Sequence, residues 1–221
     1  MFHTLRRIVA LTLLLAGCSP QCRARDSSVD QWKGRRELVV FDFGRATEEV
    51  PNGPARTYES GLWTQFSYDI YQNNHEVVRY VLTRVSGARK SSVADFGDKL
   101  VDYRNGSVLV FRGQHYADRS PLVRAQATST ALESRRLLGF DCKGVDVRYV
   151  DRNGFKHVQQ MWTPIGGTFR DPLLDLGYIY DPDGSLSEIS MGALTLLEKV
   201  QSLDGTLFET PKELKVNNIN P

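Results

Sequence analysis

The 221-residue sequence lacks an excess of charge of either sign. Its 28 basic and 26 acidic residues become 26 of each once residues 1–17, which contain Arg6, Arg7 and no acid, are set aside. Nucleic-acid-binding proteins present a strongly basic surface, so this balance argues against a nucleic-acid partner. A small basic bias remains near the start of the chain, where a solvated tether is the favoured interpretation. Its residues are Arg23, Arg25, Lys33, Arg35 and Arg36.

The motifs of several enzyme classes are also missing. There is no Gly-x-Ser-x-Gly nucleophile elbow, and no glycine-rich phosphate loop leads from a strand into a helix. Beyond residue 17 the only histidines are His75, His115 and His157, and none has a second metal ligand at a fixed spacing. We therefore predict no catalytic residue, no metal site and no cofactor.

The first eighteen residues have the layout of an export signal. Arg6 and Arg7 supply a positive start, residues 8–15 form an apolar stretch, and two small residues precede Cys18. The apolar stretch is too short to span a bilayer as a permanent helix. The tetrapeptide Leu15-Ala16-Gly17-Cys18 resembles the lipobox of bacterial lipoproteins.

In that family the cysteine is diacylated, the signal is cut before it, and the new amino terminus is acylated. The resemblance implies a signal peptide over residues 1–17 and a mature chain anchored to a membrane of the bacterial cell envelope through Cys18. Two or three acyl chains hold a domain stably, whereas one anchors it only marginally. Ser19, where some lipoproteins have Asp, implies delivery to the outer membrane, facing the periplasm. The alternative is a secreted protein in which Cys18 stands by chance.

Two further cysteines, Cys22 and Cys142, belong to the exported part of the chain. The compartment permits disulfides, so a Cys22–Cys142 bridge is one interpretation. A small, buried, reduced Cys142 is the other. The sequence leaves both open.

The domain boundaries follow from composition. Residues 18–36 are polar and are predicted to be a flexible tether, and residues 37–216 are predicted to form a single β-rich domain with a tail over 217–221. Without residues 1–17 the chain has 204 residues, enough to bury one substantial core.

From residue 38 onward the sequence predicts an antiparallel meander of hairpins. Apolar and aromatic residues alternate with polar ones, for example over 61–72 and 76–84. Short glycine-containing turns separate such stretches, and an Asn-Gly pair suits a type I′ turn because both positions tolerate positive φ. The predicted turns are Asn105-Gly106, Asn153-Gly154, Pro182-Asp183-Gly184 and Asp204-Gly205.

One α-helix is predicted over residues 121–131. Ser120 offers an N-cap, Pro121 suits the first helical position, and Gly139 provides a stop downstream. A second segment, 185–200, fits both a helical and a strand period, so its own residues do not decide between the two.

The C-terminal part resembles a group of bacterial envelope proteins. Leu138-Gly139-Phe140-Asp141-Cys142 and, one hairpin later, Met161-Trp162-Thr163-Pro164-Ile165 are similar to two hallmarks of GLPGLI-type proteins. Residues 207–214 resemble the Leu-Phe-x-x-Pro tail of related envelope proteins. The Gly-Leu-Pro-Gly-Leu-Ile hexapeptide is missing, and residues 171–177 stand near its place.

The resemblance implies the fold of the periplasmic lipoprotein carriers. That fold is one strongly curved antiparallel sheet, an incompletely closed barrel, with helix packed on its concave side. The resemblance also favours a strand over 185–200. The prediction is a mainly β fold with a minor α part of one or two helices.

Aromatic residues on the predicted strands are the candidate ligand groove. Side chains that a curved sheet turns inward can enclose an apolar groove large enough for an acyl chain. The same alternation arises when the side chains simply fill a core. The candidates are Phe66, Tyr68, Tyr80, Phe111, Trp162 and Tyr178.

These observations predict a membrane-anchored envelope lipoprotein whose domain binds a lipid-like ligand or a client protein without catalysis. The alternative is a structural or interaction lipoprotein with a filled core that works through its surface. An envelope hydrolase using His115 and Asp118 is the least favoured. A dry apolar cavity supports the first function, whereas a packed interior with an exposed apolar patch or bare strand edge supports the second.

Overall fold

The computed structural model describes residues 30–43, 61–87, 97–122, 126–151 and 153–219, together with the backbone of 45–48 and 56–59. Most of these residues form β-strands. The strands are β1 (Gln31–Asp42), β2 (Arg45–Glu48), β3 (Arg56–Glu59), β4 (Leu62–Gln72), β5 (Val77–Gly87), β6 (Lys99–Asp102), β7 (Ser107–Arg112), β8 (Tyr116–Pro121), β9 (Thr128–Leu137), β10 (Phe140–Val150), β11 (Lys156–Pro164), β12 (Leu174–Tyr180), β13 (Leu186–Val200) and β14 (Lys215–Asn218).

Twelve of the strands form one curved, open sheet. Their order is β14-β8-β7-β6-β5-β4-β1-β13-β12-β11-β10-β9, and β2 and β3 pair separately. Neighbouring strands are antiparallel except for β14, which runs parallel to β8. The first strand lies in the middle of the sheet, between β4 and β13, so two meanders extend from it in opposite directions. The predicted mainly β, incompletely closed barrel is confirmed.

The helix predicted over residues 121–131 is wrong. Pro121 ends β8, and residues 128–131 begin β9. Thr128 and Thr130 are β-branched residues that favour a strand, and the apolar stripe across the segment was too weak to outweigh them. Among the described residues the only helical element is a short 3₁₀ turn, Gly205–Phe208. None of these residues forms a helix long and apolar enough to cross a bilayer.

The ambiguous segment 185–200 forms the strand that the family resemblance favours. Gly192 pairs in register with Leu38, and a Cβ at this position would meet the carboxylate of Asp175 and the guanidinium of Arg36. The register shift against β1 lies further on, where Arg35 pairs with Leu196 and Arg36 pairs with Leu194. A glycine in this strand therefore makes room for an ion pair.

Three of the four predicted turns connect neighbouring strands. Gly106, Gly154 and Gly184 have positive φ in the turns after β6, β10 and β12. The first is not a type I′ turn, because Asp102 pairs with Ser107 across a four-residue loop in which only Gly106 has positive φ. The turn predicted at Asp204-Gly205 is wrong, since Asp204 instead caps the 3₁₀ turn by accepting a hydrogen bond from the Thr206 N–H.

Two apolar clusters are buried against the sheet. The larger cluster contains buried side chains from β1, β4 and β5, such as Val40, Ile70 and Val78, together with residues of the second meander. The smaller one is centred on Leu100 and Leu109, whose neighbours Val101 and Val108 belong to the larger cluster. Because successive residues of a strand point to opposite faces, the two clusters lie on opposite sides of β6 and β7.

Both predicted ends of the domain need correction. Residues 31–36 are not tether but the first half of β1, and Arg36 is buried. At the other end residues 217–218 belong to β14 and not to a free tail. The signal peptide, Cys18, Cys22 and most of the predicted tether lie outside the described residues, so these predictions remain predictions.

Candidate functional site

The predicted ligand groove inside the curved sheet is filled. Phe66, Tyr68, Tyr80 and Trp162 come together in the larger cluster, each no more than 4% exposed. Tyr178 is half-buried on β12. Phe111 is separated from them, because it packs against the smaller cluster on the other face of the sheet. The structure thus unites four of the six candidates, in a packed interior.

Residues 165–173, here named the plug segment, help to fill this interior. They connect β11 to β12 and place Phe169 and Leu173 in the larger cluster, 1% and 2% exposed. Hydrogen bonds fix the segment to the sheet: Gln72 donates from its side chain to the Thr168 carbonyl (2.7 Å) and accepts from the Arg170 N–H (2.8 Å). The Trp32 indole also donates to Thr168 Oγ1 (2.9 Å).

A buried polar cluster anchors the end of the plug segment. Arg36 pairs with Asp171 at 3.2 Å and with Asp175, and it donates to the Pro172 carbonyl at 2.7 Å. The hydroxyls of Tyr80 and Tyr103 donate to the Asp171 carboxylate. Burial and the negative charge of Asp171 raise the pKa of both tyrosines well above their usual value. The hydroxyls therefore stay protonated and keep donating.

Lys99 completes the cluster. Its ammonium group lies 4.2 Å from the centroid of the Tyr80 ring, a cation–π arrangement. Burial, reinforced by the positive charge of Arg36, lowers the pKa of Lys99 to about 8. The cluster joins side chains of β1, β5, β6 and β12 to the end of the plug segment, which is a structural role.

An open site lies on the opposite face of the sheet, in a groove here named the outer groove. Val78 and Tyr80 point into the larger cluster, so Arg79 and Val81 point to the other side of β5. The C-terminal segment passes over this side and ends as β14 beside β8. Between them lies a groove of about 1050 Å³. Its lining is Arg79, Val81, Gly97, Asp98, Phe111, Arg112, Gly113, Gln114, Thr206, Leu207, Glu209, Pro211 and Leu214.

The arginines of the outer groove are already paired. Arg79 donates to Asp98 at 2.7 Å and stacks on Phe111, its guanidinium carbon 4.4 Å from the ring centroid. Burial lowers the pKa of Arg79, while Asp98 acts against that shift. Arg112 donates to Asp118 at 2.8 Å, and this hydrogen bond holds the pKa of the Asp118 carboxyl below its usual value. The groove therefore offers apolar surface with little unpaired charge.

The candidate hydrolase residues are not arranged for catalysis. His115 is exposed in the turn between β7 and β8, and the Asp118 carboxylate is held by Arg112. His157 contacts Asp151 at 3.3 Å and stacks on Tyr149, on a different part of the sheet. Within the described ranges no group of three or more His, Cys, Asp or Glu side chains could hold a metal ion.

Cys142 is fully buried, and its thiol donates to the Phe140 carbonyl at 3.6 Å. Burial raises the pKa of this thiol, which makes it a poor nucleophile at neutral pH. Cys22 lies outside the described residues, so the bridge between the two cysteines remains a prediction.

No family model and no curated protein matches the chain. Three solved structures show a distant likeness. They are PNGF-II (10% identity, TM-score 0.41, 86% of this chain and 32% of that one), an uncharacterized conserved protein from Thermus thermophilus (11%, 0.40, 86% and 90%), and a LolA superfamily protein from Nitrosomonas europaea (10%, 0.33, 83% and 92%). The chain thus spans about a third of the PNGF-II chain. These TM-scores all lie below 0.5, so the likeness assigns no function to this chain.

Sequence patterns did not predict two elements of the structure, the plug segment and the wall of the outer groove. The plug segment carries turn residues at both ends, Gly166-Gly167 and Asp171-Pro172, and an isolated Phe169 between them was the available signal of burial. The wall of the outer groove coincides with residues 207–214, which the sequence marked only through a family resemblance. Nothing local indicated that this tail would cross β5 to β8.

Proposed function

We propose that the chain is a membrane-anchored lipoprotein of the bacterial cell envelope whose β domain binds a lipid-like ligand without catalysis. The outer groove carries the ligand proposal. Its volume of about 1050 Å³ is at the upper end of ordinary small-molecule sites, which are mainly apolar with a few polar groups. Val81, Phe111, Leu207 and Leu214 supply such an apolar lining. An acyl chain matches these features.

The paired charges restrict the class of ligand further. A site that binds a strongly charged head group needs unpaired side chains of the opposite sign. Arg79 is engaged by Asp98, and Arg112 by Asp118. The groove is therefore better suited to the apolar part of a ligand than to an ionic head group.

The proposed lipid anchor and cellular location rest on the lipobox resemblance of residues 15–18. Acylation of Cys18, with Ser19 following it, would place the domain at the periplasmic side of the outer membrane. This location would bring the outer groove close to a source of acyl chains.

The second candidate function is an interaction lipoprotein that acts through its surface on a client protein. The filled interior supports it, because Phe169 and Leu173 occupy the space where an internal ligand would bind. Exposed apolar residues on the sheet, such as Phe41 and Trp63, support it as well. Binding of a small apolar molecule in the outer groove distinguishes the first function from the second.

The experiment uses residues 19–221, which keep every described strand, exported and purified under native conditions. Mass spectrometry of the denatured extract is expected to find a co-purified apolar molecule. Val81→Lys places a charge in the groove and is expected to weaken binding of a fluorescent fatty-acid analogue by at least about tenfold.

Val85→Lys is the matched control, since Val85 is on the same strand, is exposed and is not part of the groove lining. Equal binding by both variants, or no binding by the unsubstituted chain, would remove the ligand proposal and leave the interaction protein.

A further inference from the structure

The lining of the outer groove contains one charged side chain without a partner. The charged residues of the lining are Arg79, Asp98, Arg112 and Glu209. Arg79 pairs with Asp98 at 2.7 Å, and Arg112 pairs with the neighbouring Asp118 at 2.8 Å. Glu209 forms no ion pair and no side-chain hydrogen bond with the parts of the chain that the structure describes. The lining therefore carries one uncompensated negative charge.

The 3₁₀ turn Gly205–Phe208 fixes the position of Glu209. Glu209 is the C-cap of this turn, and its N–H donates to the Thr206 carbonyl at 3.2 Å. At the start of the turn, Asp204 accepts a hydrogen bond from the Thr206 N–H at 3.0 Å. The Glu209 side chain is exposed, whereas the lining residue Leu207 is half-buried. The carboxylate thus lies nearer to the solvent than the apolar wall of the groove does.

The other charges of the C-terminal segment do not cancel that of Glu209. Residues 204–214 contain the acids Asp204, Glu209 and Glu213 and the single base Lys212. Three acids and one base give this segment a net formal charge of −2. The wall that carries Glu209 is therefore acidic as a whole.

The sheet side of the groove is close to neutral. Asp69 lies opposite Val81 in the pairing of β4 with β5, and Arg35 lies 3.7 Å from it. Arg84 on β5 and Arg119 on β8 are exposed, but neither lines the groove. Since both arginines of the lining are paired, a positively charged group complements the described lining better than a negatively charged one.

We propose that the outer groove binds a single-chain amphiphile with a cationic head group. Its apolar chain lies along Val81, Phe111 and Leu214, and its amine or quaternary ammonium group contacts Glu209. This inference rests on the proposed ligand function of the groove and adds the charge of the head group. An anionic amphiphile such as a fatty acid gains the same apolar contact, but its head group is repelled by Glu209.

The test compares three probes with chains of twelve carbons: dodecyltrimethylammonium, dodecyl maltoside and dodecanoate. Each is kept below its critical micelle concentration, and isothermal titration calorimetry measures its affinity for residues 19–221 at low ionic strength. The cationic probe is expected to bind at least about fivefold more tightly than dodecanoate, because one head group is attracted and the other repelled. High salt should reduce this difference, since it screens exposed charges.

Glu209→Gln is expected to bring the affinities of the two charged probes within about twofold of each other, and Glu209→Lys to reverse their order. Glu213→Gln is the matched control. Glu213 is an exposed acid of the same segment but does not line the groove, so the preference for the cationic probe should persist.

Val81→Lys separates this inference from the function on which it rests. If no probe binds, or if binding of the uncharged maltoside does not respond to Val81→Lys, the outer groove is not a ligand site and both proposals fail. If the probes bind in the groove with equal affinity, if dodecanoate binds best, or if Glu209→Gln leaves the preference unchanged, only the cationic head group is overturned.

Discussion

Leu138 adopts a backbone conformation that leucine rarely takes. It forms the two-residue turn between β9 and β10 with Gly139, and their φ angles are 49° and 83°. Positive φ at both positions is what a type I′ turn requires. The left-handed region costs a residue with a Cβ roughly 1–2 kcal/mol, and the side chain of Leu138 is 47% exposed, so packing returns little of that cost.

Leu138→Asn is expected to raise the free energy of unfolding by about 1 kcal/mol, because asparagine tolerates positive φ. Gly139→Ala, at φ 83°, should lower it by a similar amount. Urea denaturation followed by circular dichroism measures both. A less stable Leu138→Asn protein would show that the leucine side chain contributes more than its exposure indicates.

Residue composition did not predict the Leu138-Gly139 turn. Asn105-Gly106 has the composition of a type I′ turn but forms a four-residue loop, while Leu138-Gly139 lacks that composition and has the positive φ angles. Strand pairing decides the difference, because Leu137 must lie opposite Phe140 for β9 and β10 to pair as they do. Turn propensity at single residues is weaker than the register of two long strands.

At the scale of elements, the plug segment takes the place that the helix was expected to fill. A sheet that curves needs apolar side chains to fill its inner face. In this chain Phe169 and Leu173 supply them from a connection between strands, and the hydrogen bonds of Gln72 and Trp32 satisfy the polar backbone and side chain of Thr168. A buried loop is acceptable only when such partners exist.

Phe169→Ala is expected to destabilise the protein by about 3–5 kcal/mol, because it leaves a cavity in the larger cluster. Ile165→Ala in the same segment is the control. Ile165 is 55% exposed, and its replacement should change stability by no more than about 0.5 kcal/mol. Thermal and urea denaturation measure both variants. Equal small effects would mean that the plug segment is not part of the core.

At the scale of the whole molecule, the two sides of β5 differ. The larger cluster packs on the side of Val78 and Tyr80, whereas the outer groove is open on the side of Arg79 and Val81. The proposed ligand site is therefore the outer groove and not the inner face. This differs from the expected inner groove for a simple reason: the aromatic residues of β4 and β5 fill the inner face together with the plug segment.

The anchor is tested on the whole chain in its own envelope. Cys18→Ser is expected to remove the acyl groups, which changes the mass of the N-terminal peptide and weakens retention in the membrane fraction, since no acyl chain remains to partition into lipid. Intact-mass and fractionation measurements check this. An unchanged mass together with an unchanged membrane fraction would contradict the lipobox assignment.

The local features of this protein were determined by its sequence. Alternating residues and glycine turns specify hairpins because the side-chain period of a strand and the φ of a turn are local properties. For this reason β4 and β5 lie where the alternating pattern placed them. The helix prediction over residues 121–131 rested on local signals, an N-cap and a proline at the first position. The strand that forms from residue 128 onward depends instead on pairing with β10, which is not local.

Tertiary structure alone decided which face is filled and where a site remains open. On β5 both faces are partly apolar, Val78 and Tyr80 on one side and Val77 and Val81 on the other, so alternation could not tell inside from outside. The deciding contacts join distant parts of the chain, such as Arg36 to Asp171, 135 residues apart. Such contacts depend on the register of the whole sheet, which no local pattern contains.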